Sequence, residues 1–207
     1  MSELTIVPVD RSRWGRLLEL FGDNGAYSNC WCTWWLLTSR PWEATPPAER
    51  RAMLHDLVER EDPPPGLLAL DDDTPVGWCA VGPRQRYLRM MSDRARTFRR
   101  IDDRRSWVVN CFYIDPQARG HGVGTVLLDA AIEFAGDNGA TILEGYPIDL
   151  AVTDPGAAGL YVGTLHMFEA AGFVEVARFG NRPFVRLELP STGRGVTPAS
   201  RGRQDPP

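Results

Sequence analysis

The chain contains no lysine: all 23 of its basic residues are arginine. A Walker-type phosphate loop, a pyridoxal Schiff base and a lysine nucleophile each need a primary amine or ammonium, so these three chemistries are excluded. Cysteine is scarce, at four in 207 residues, which is too sparse for the disulfide scaffold of a small secreted protein. Cys30 and Cys32 are separated by one residue, unlike a redox CxxC, and no second pair stands at a zinc-ribbon spacing. Buried free thiols and no metal are therefore expected. No uninterrupted apolar run approaches the roughly 20 residues that cross a bilayer. The opening MSELTIVPVD has no basic region followed by an apolar one, so no secretory leader is read and a cytosolic, membrane-free location is expected. A net charge of -4 gives no broad attraction to nucleic acid. The expected partners are small molecules or peptides, with the chain itself a monomer or homodimer.

At about 150 residues per domain the length suggests one domain with an addition. Residues 1–189 are expected to form it. Residues 190–207, ending STGRGVTPASRGRQDPP, carry no apolar pattern and are expected to be a disordered tail. LTIVPVD reads as a strand, RSRWGRLLELFGDNG as a helix ended by glycine, and TPPAERRAMLHDLVERE as an amphipathic helix capped by Thr45. GLLALDDDTPVGWCAVGP reads as a hairpin turning at DDDTP. WVVNCFYI is an almost continuous apolar strand, suited to a sheet covered on both faces. A glycine-rich turn and the helix TVLLDAAIEFAGDNG follow, then a strand in GATILEGYPID, a short helix in TLHMFEAAGF and a closing strand pair.

Two segments stand out by composition. The stretch 27–42 holds Trp31, Trp34, Trp35 and Trp42. At helical spacing these tryptophans would pack one face into the core; alternatively they wall an acceptor pocket, with Tyr27 and Asn29 as polar contacts. From Arg84 to Arg105 there are nine arginines against three aspartates. That segment reads either as a solvated connection or as a basic edge that holds a phosphorylated cofactor or an anionic acceptor.

The most informative run is CFYIDPQARGHGVGTVLLDAAIEFA. A buried strand delivers the chain through Asp-Pro to free N–H groups at the start of a helix, where amides and dipole favour a pyrophosphate. Gly120, Gly122 and Gly124 clear the approach to the backbone, and Arg119 adds positive charge. The dinucleotide fingerprint GxGxxG does not fit, because its third glycine falls on Thr125 or Leu127.

These residues resemble the GCN5-related N-acetyltransferase (GNAT) superfamily. Its Gln/Arg-x-x-Gly-x-Gly/Ala signature is matched by Arg119, Gly122 and Gly124, with Gln117 and Gly120 in the preceding frame. MFEAAGFVEVARF resembles its second signature, and the order of elements agrees from about Thr5 to Leu189. The resemblance implies an α/β (α+β) fold: a central mixed, mostly antiparallel sheet with helices on both faces. It also implies a coenzyme A pyrophosphate on the turn Gly120, His121, Gly122, Val123, Gly124 and Thr125, and pantetheine along the backbone of Phe112, Tyr113 and Ile114. The implied activity is transfer of an acetyl group from acetyl-coenzyme A to a primary amine of a small molecule or peptide, by direct attack and without a metal.

In that family a tyrosine four residues before the Gly-Phe glycine commonly protonates the sulfur. Phe168 stands there and has no proton to give. Tyr161 and His166 are the alternative donors, Glu144 is a candidate base, and Asn110 a candidate for orienting the acceptor. The acceptor is expected between the Trp-rich segment and the strands around Trp78, Asn110 and Glu144. Acidic residues at its entrance, Asp71 to Asp73 or Asp149, would favour a cationic amine. Loss of the acid leaves a second reading, a non-catalytic acyl-coenzyme A binding or regulatory protein.

Overall fold

Apolar residues along Gly66–Pro83 alternate with period two, which places two sets of side chains on opposite faces of a sheet. Both sets are buried in a computed structural model that describes residues 3–92, 97–155 and 157–190. The regular elements are Leu4–Pro8 (β1), Trp14–Phe21 (α1), Ser39–Ala44 (α2), Pro47–Arg60 (α3), Gly66–Asp71 (β2), Thr74–Pro83 (β3) and Leu88–Met91 (α4). Trp107–Ile114 (β4), Val123–Asp137 (α5), Ile142–Gly145 (β5), Leu165–Ala170 (α6), Val174–Phe179 (β6) and Arg182–Glu188 (β7) complete them. The strands form one seven-stranded sheet in the order β1-β2-β3-β4-β5-β7-β6. Only β4 and β5 run parallel; the other neighbours are antiparallel.

On one face Leu67, Ala69, Cys79 and Val81 meet Val123, Leu127, Leu128 and Ala131 of α5. On the other Leu68, Trp78 and Ala80 meet Leu17 and Phe21 of α1 and Leu54 and Val58 of α3. The expected mixed sheet with helices on both faces is thus present.

Two irregularities in β4 position everything that follows. The parallel pairing with β5 lasts for two partners, Trp107 with Leu143 and Val108 with Glu144, after which the strands part. In the pairing with β3, Val81 lies opposite Val109 and Ala80 opposite Cys111, so Asn110 is an extra, bulged residue. The bulge reverses the alternation: Val109 and Phe112 both face α5, whereas Asn110, Cys111 and Tyr113 face the opposite side.

Where the strands part, a buried ion network sits beneath them. Arg84 donates to Glu144 at 2.9 Å and Arg186 to its other oxygen at 2.6 Å. The Ser106 hydroxyl also donates to Glu144, at 2.9 Å. Arg186 reaches on to Asp102 at 2.6 Å, whose carboxyl is held well below its usual range by that hydrogen bond. Arg84 further donates to Tyr146 Oη at 2.6 Å and to the Phe98 carbonyl. Charges this deep are tolerated because each finds opposite charge and hydrogen-bond partners.

Three expectations need correction. The tryptophan-rich stretch is a series of turns with one 3₁₀ turn, Thr33–Trp35, leading into the short α2 that carries Trp42, and not a continuous helix. Ala26, Ser28, Asn29, Trp31 and Cys32 all have left-handed φ values, which no regular helix of L-residues tolerates. Thr45 does not cap α3, whose preceding residue is Pro46 with no side-chain cap; the Thr45 hydroxyl instead donates to the Pro41 carbonyl at 2.6 Å. The arginines from Arg84 onward do not form one solvated or basic edge, since Arg84 and Arg89 are buried. Arg94 and Arg96, and the expected tail beyond Pro190, lie outside the described residues.

Glu144→Ala is expected to lower folding stability by about 3–5 kcal/mol, because it strands the buried Arg84 guanidinium without its countercharge and takes from Arg186 one of its two carboxylate partners. Chemical denaturation of the variant beside the parent chain measures this; a loss below about 1 kcal/mol would mean that water or relaxation compensates.

Candidate active site

Beyond Val108, β4 continues with no strand along the side that β5 has left, and a cavity of about 400 Å³ opens between the parted strands and the turns of 21–42. Trp34, Trp35, Trp42 and Trp78 wall it with Phe21 and Phe98. The tryptophans therefore serve both roles weighed from composition, because Trp35 and Trp78 are buried and line the cavity at once. Arginines brace this wall from behind. Arg89 stacks over Trp34 at 3.7 Å and donates to its carbonyl at 2.5 Å, and Arg50 stacks over Trp42 at 3.8 Å. A planar guanidinium can stack and donate in several directions together, which an ammonium cannot.

Asn110 enters the cavity from the bulge. It is 2% exposed, and neither its amide nitrogen nor its carbonyl oxygen has a partner among the described residues. A buried amide with both ends unmatched costs free energy that a bound ligand can recover. Tyr161 comes from the 3₁₀ segment Ala157–Val162 and stacks over Tyr113 at 6.3 Å, with Tyr27 at 5.2 Å on its other side. Burial pushes its hydroxyl above the ordinary pKa of 10. No carboxylate or imidazole lines the cavity among the described residues; its charged group is Arg182.

Of the four catalytic candidates, Asn110 and Tyr161 meet at this cavity. The other two do not. Glu144 has both carboxylate oxygens engaged in the ion network, so it anchors β5 and is not free to accept a proton from an amine. His166 is exposed on α6, outside the cavity lining. Phe168 is fully buried, with its ring against Phe112 and Phe173. A Cβ at Gly145 would collide with that ring, so the phenylalanine fills space that β5 leaves for it. Cys111 lines the cavity half-buried, but its interaction with Cys32 and the loss of solvent push its thiol well above the ordinary pKa, which keeps it protonated. The acidic rim considered for a cationic amine is absent: Asp149 is paired with Arg178 at 2.8 Å, and Asp71 to Asp73 lie outside the lining.

At the far end of β4 the chain passes through Pro116–Ala118 into the start of α5. Gly120 and Gly122 both have φ of +80°, and a Cβ at either would meet nothing within 4 Å. The left-handed backbone demands glycine there, and the space above it is open. The first amides of this turn to find an acceptor in the chain are those of Thr125 and Val126, both to the Gly122 carbonyl. Arg119 and His121 are exposed beside the turn, as is Gln117, whose amide donates to Asp115 at 2.8 Å. A Cβ at Gly124 would meet the Met167 sulfur at 3.5 Å. An open cradle of free amides at a helix start fits the pyrophosphate of coenzyme A. No three His, Cys, Asp or Glu side chains are grouped to hold a metal among the described residues.

The sequence of residues 30–163 matches the family model described as acetyltransferase (GNAT) family. The chain belongs to the GNAT acetyltransferase family. The match spans Asn110, the glycine turn and Tyr161, and ends before Phe168 and Arg182. Solved structures share the GNAT fold at low identity. A mosquito arylalkylamine N-acetyltransferase like 5b aligns with TM-score 0.55 and 10% identity, over 90% of this chain and 100% of that one. The ribosomal-protein-alanine N-acetyltransferase of Brucella melitensis aligns with TM-score 0.51 and 19% identity, over 89% and 99%. A chain of the NatC complex, solved with Gag peptide and CoA, aligns with TM-score 0.50 and 15% identity, over 91% and 99%. No protein with a curated description matches the sequence. Among the described residues no helix is long and apolar enough to cross a membrane.

Arg182 and Phe98 had no motif to mark them. Arg182 lies in the tight β6–β7 hairpin, opposite Phe179, and reaches the cavity only because β5 has swung away from β4.

Replacing Gly122 by valine is expected to weaken coenzyme A binding by about tenfold or more, since a branched side chain resists positive φ and would fill the cradle. Tyr161→Phe should change it by less than about threefold, as it leaves the phosphate turn intact. Calorimetry on both variants decides: equal affinities would remove the pyrophosphate from this turn.

Proposed function

We propose that this GNAT protein transfers the acetyl group of acetyl-coenzyme A to a primary amine of a small molecule or peptide by direct attack in the cavity between β4 and β5. The observation that carries the reading is that one strand joins both parts: β4 ends in the amide cradle and bears the bulged Asn110 in the cavity. Bound acetyl-coenzyme A supplies the activated acetyl carbonyl and a thiol leaving group. The backbone of Phe112, Tyr113 and Ile114, on the side of β4 that β5 has left, receives the pantetheine arm, and Gly120 to Thr125 hold the phosphates.

Asn110 orients the amine: its Oδ1 accepts an amine N–H, which aims the nitrogen lone pair. The cavity offers no carboxylate or imidazole to take the amine's proton, so the amine enters neutral or sheds its proton to water. Tyr161 holds a proton at Oη for the departing sulfur. Its raised pKa keeps that proton in place throughout the neutral range, because a group stays protonated below its pKa. Four cysteines without disulfides fit a reducing compartment such as the cytosol. The buried Phe168, in place of the usual tyrosine, favours the second reading, an acyl-coenzyme A binding protein without turnover. Tight coenzyme A binding with no thiol release across a panel of amines would establish it.

For an accepted amine, kcat/KM should rise about tenfold per pH unit below the amine's own pKa and show no fall before about pH 9. Asn110→Ala should lower kcat/KM by about 10- to 100-fold, and Tyr161→Phe should lower kcat by about 100-fold. Thiol release with each variant measures both. A tyrosine variant as fast as the parent would place the acid elsewhere.

A further inference from the structure

Arg182 lines the cavity, which the buried Arg50, Arg84, Arg89 and Arg186 do not. Arg84 and Arg186 share Glu144, and Arg186 also holds Asp102. Arg182 is half-buried at the cavity wall, and no carboxylate lies within ion-pair distance of it among the described residues. One terminal nitrogen donates to the carbonyls of Tyr146 and Pro147 at 3.2 and 3.4 Å. These two bonds orient the guanidinium from the diverging end of β5 and leave its remaining donors without a partner among the described residues. Burial pushes its pKa below the ordinary value, and an anion placed beside a desolvated cation offsets that cost.

The same cavity holds the second orphan, Asn110, with both ends of its amide buried and unmatched. Around these two polar points the wall is aromatic. A ligand that satisfies all three needs a flat or bulky apolar body, an anionic group for the guanidinium, and a nitrogen that reaches Asn110. A cavity of about 400 Å³ is at the small end for organic ligands, of which such pockets hold roughly 300–1,000 Å³.

We infer that Arg182 is the carboxylate anchor of the acceptor site, and that the acceptor is an amino-carboxylate with an aromatic or large apolar body, the chemical class of the hydrophobic α-amino acids. This rests on the acetyl-transfer reading for the amine's fate, but the binding of the carboxylate does not. The guanidinium pairs with the carboxylate through charge-assisted hydrogen bonds. Its positive charge also lowers the pKa of a nearby ammonium, which supplies the neutral amine that the cavity has no base to generate.

The test compares ligand pairs that differ by the carboxylate alone: L-phenylalanine with 2-phenylethylamine, L-tryptophan with tryptamine, and L-leucine with isoamylamine. Each is titrated calorimetrically into the protein saturated with coenzyme A, a state in which no transfer occurs. In at least one pair the amino acid should bind about 10- to 100-fold more tightly. Arg182→Gln should bring that ratio to within about twofold, and Arg182→Lys should restore part of it; the melting transition and coenzyme A affinity of each variant report that it is folded. Equal affinities in every pair, absence of binding by all, or a preference that survives Arg182→Gln would overturn the inference. Thiol release from acetyl-coenzyme A then separates the two readings. Amine-dependent release with no carboxylate preference leaves acetyl transfer standing and removes the anchor. A carboxylate preference in binding with no release leaves the anchor standing and removes acetyl transfer.

Discussion

Glu144, held between Arg84 and Arg186 at the point where β4 and β5 separate, is the interaction on which the site depends. Two neighbouring parallel strands gain from continuing to pair, and here they stop after Val108 and Glu144. The energy of parting is offset below the split, where the carboxylate ties β5 to Arg84 after β3 and to Arg186 on β7. Ser106, just before β4, donates to the same carboxylate. The base of the split is therefore cross-linked from three elements, while its mouth is left open. Arginine suits this work because its fork reaches a carboxylate and carbonyl oxygens together, and in a chain without lysine every buried cation is of this kind.

Once the strands are apart, the bulge at Asn110 decides what faces the gap. A regular strand would turn Cys111 toward α5 and Phe112 toward the gap. The extra residue turns Asn110 and Cys111 the same way and sends Phe112 into the core against Phe168. The cavity thus receives Cys111 and Tyr113 beside the buried, unmatched amide of Asn110, in place of Phe112. Opposite it, the left-handed backbone between Ala26 and Cys32 folds the tryptophans into a wall, and strain of that kind is often concentrated at functional positions.

The glycine turn before a helix and the buried strand WVVNCFYI were legible because they rest on local signals, and the mixed sheet with helices on both faces followed from the family resemblance; the strand order was not read from the sequence. The cavity was partly legible. Composition marked the tryptophans that line the cavity, but helical spacing misread their backbone, since nothing in a spacing rule anticipates five left-handed residues. Glu144 looked like a free strand-end carboxylate because its partners, Arg84 and Arg186, are 60 and 42 positions away. Arg182 was invisible for the same reason, as its relation to the cavity is made only by the sheet.

On the proposed function, one strand leads into a cofactor-binding turn and bears an acceptor-facing amide in its middle. The most direct measurement is a crystal structure with coenzyme A. The expected result is a pyrophosphate on the amides of Gly120 to Gly124, pantetheine along β4 beyond the bulge, and the sulfur within hydrogen-bond reach, about 3–3.5 Å, of Tyr161 Oη. A sulfur more than about 5 Å from that hydroxyl, or a pyrophosphate bound away from the glycine turn, would contradict it.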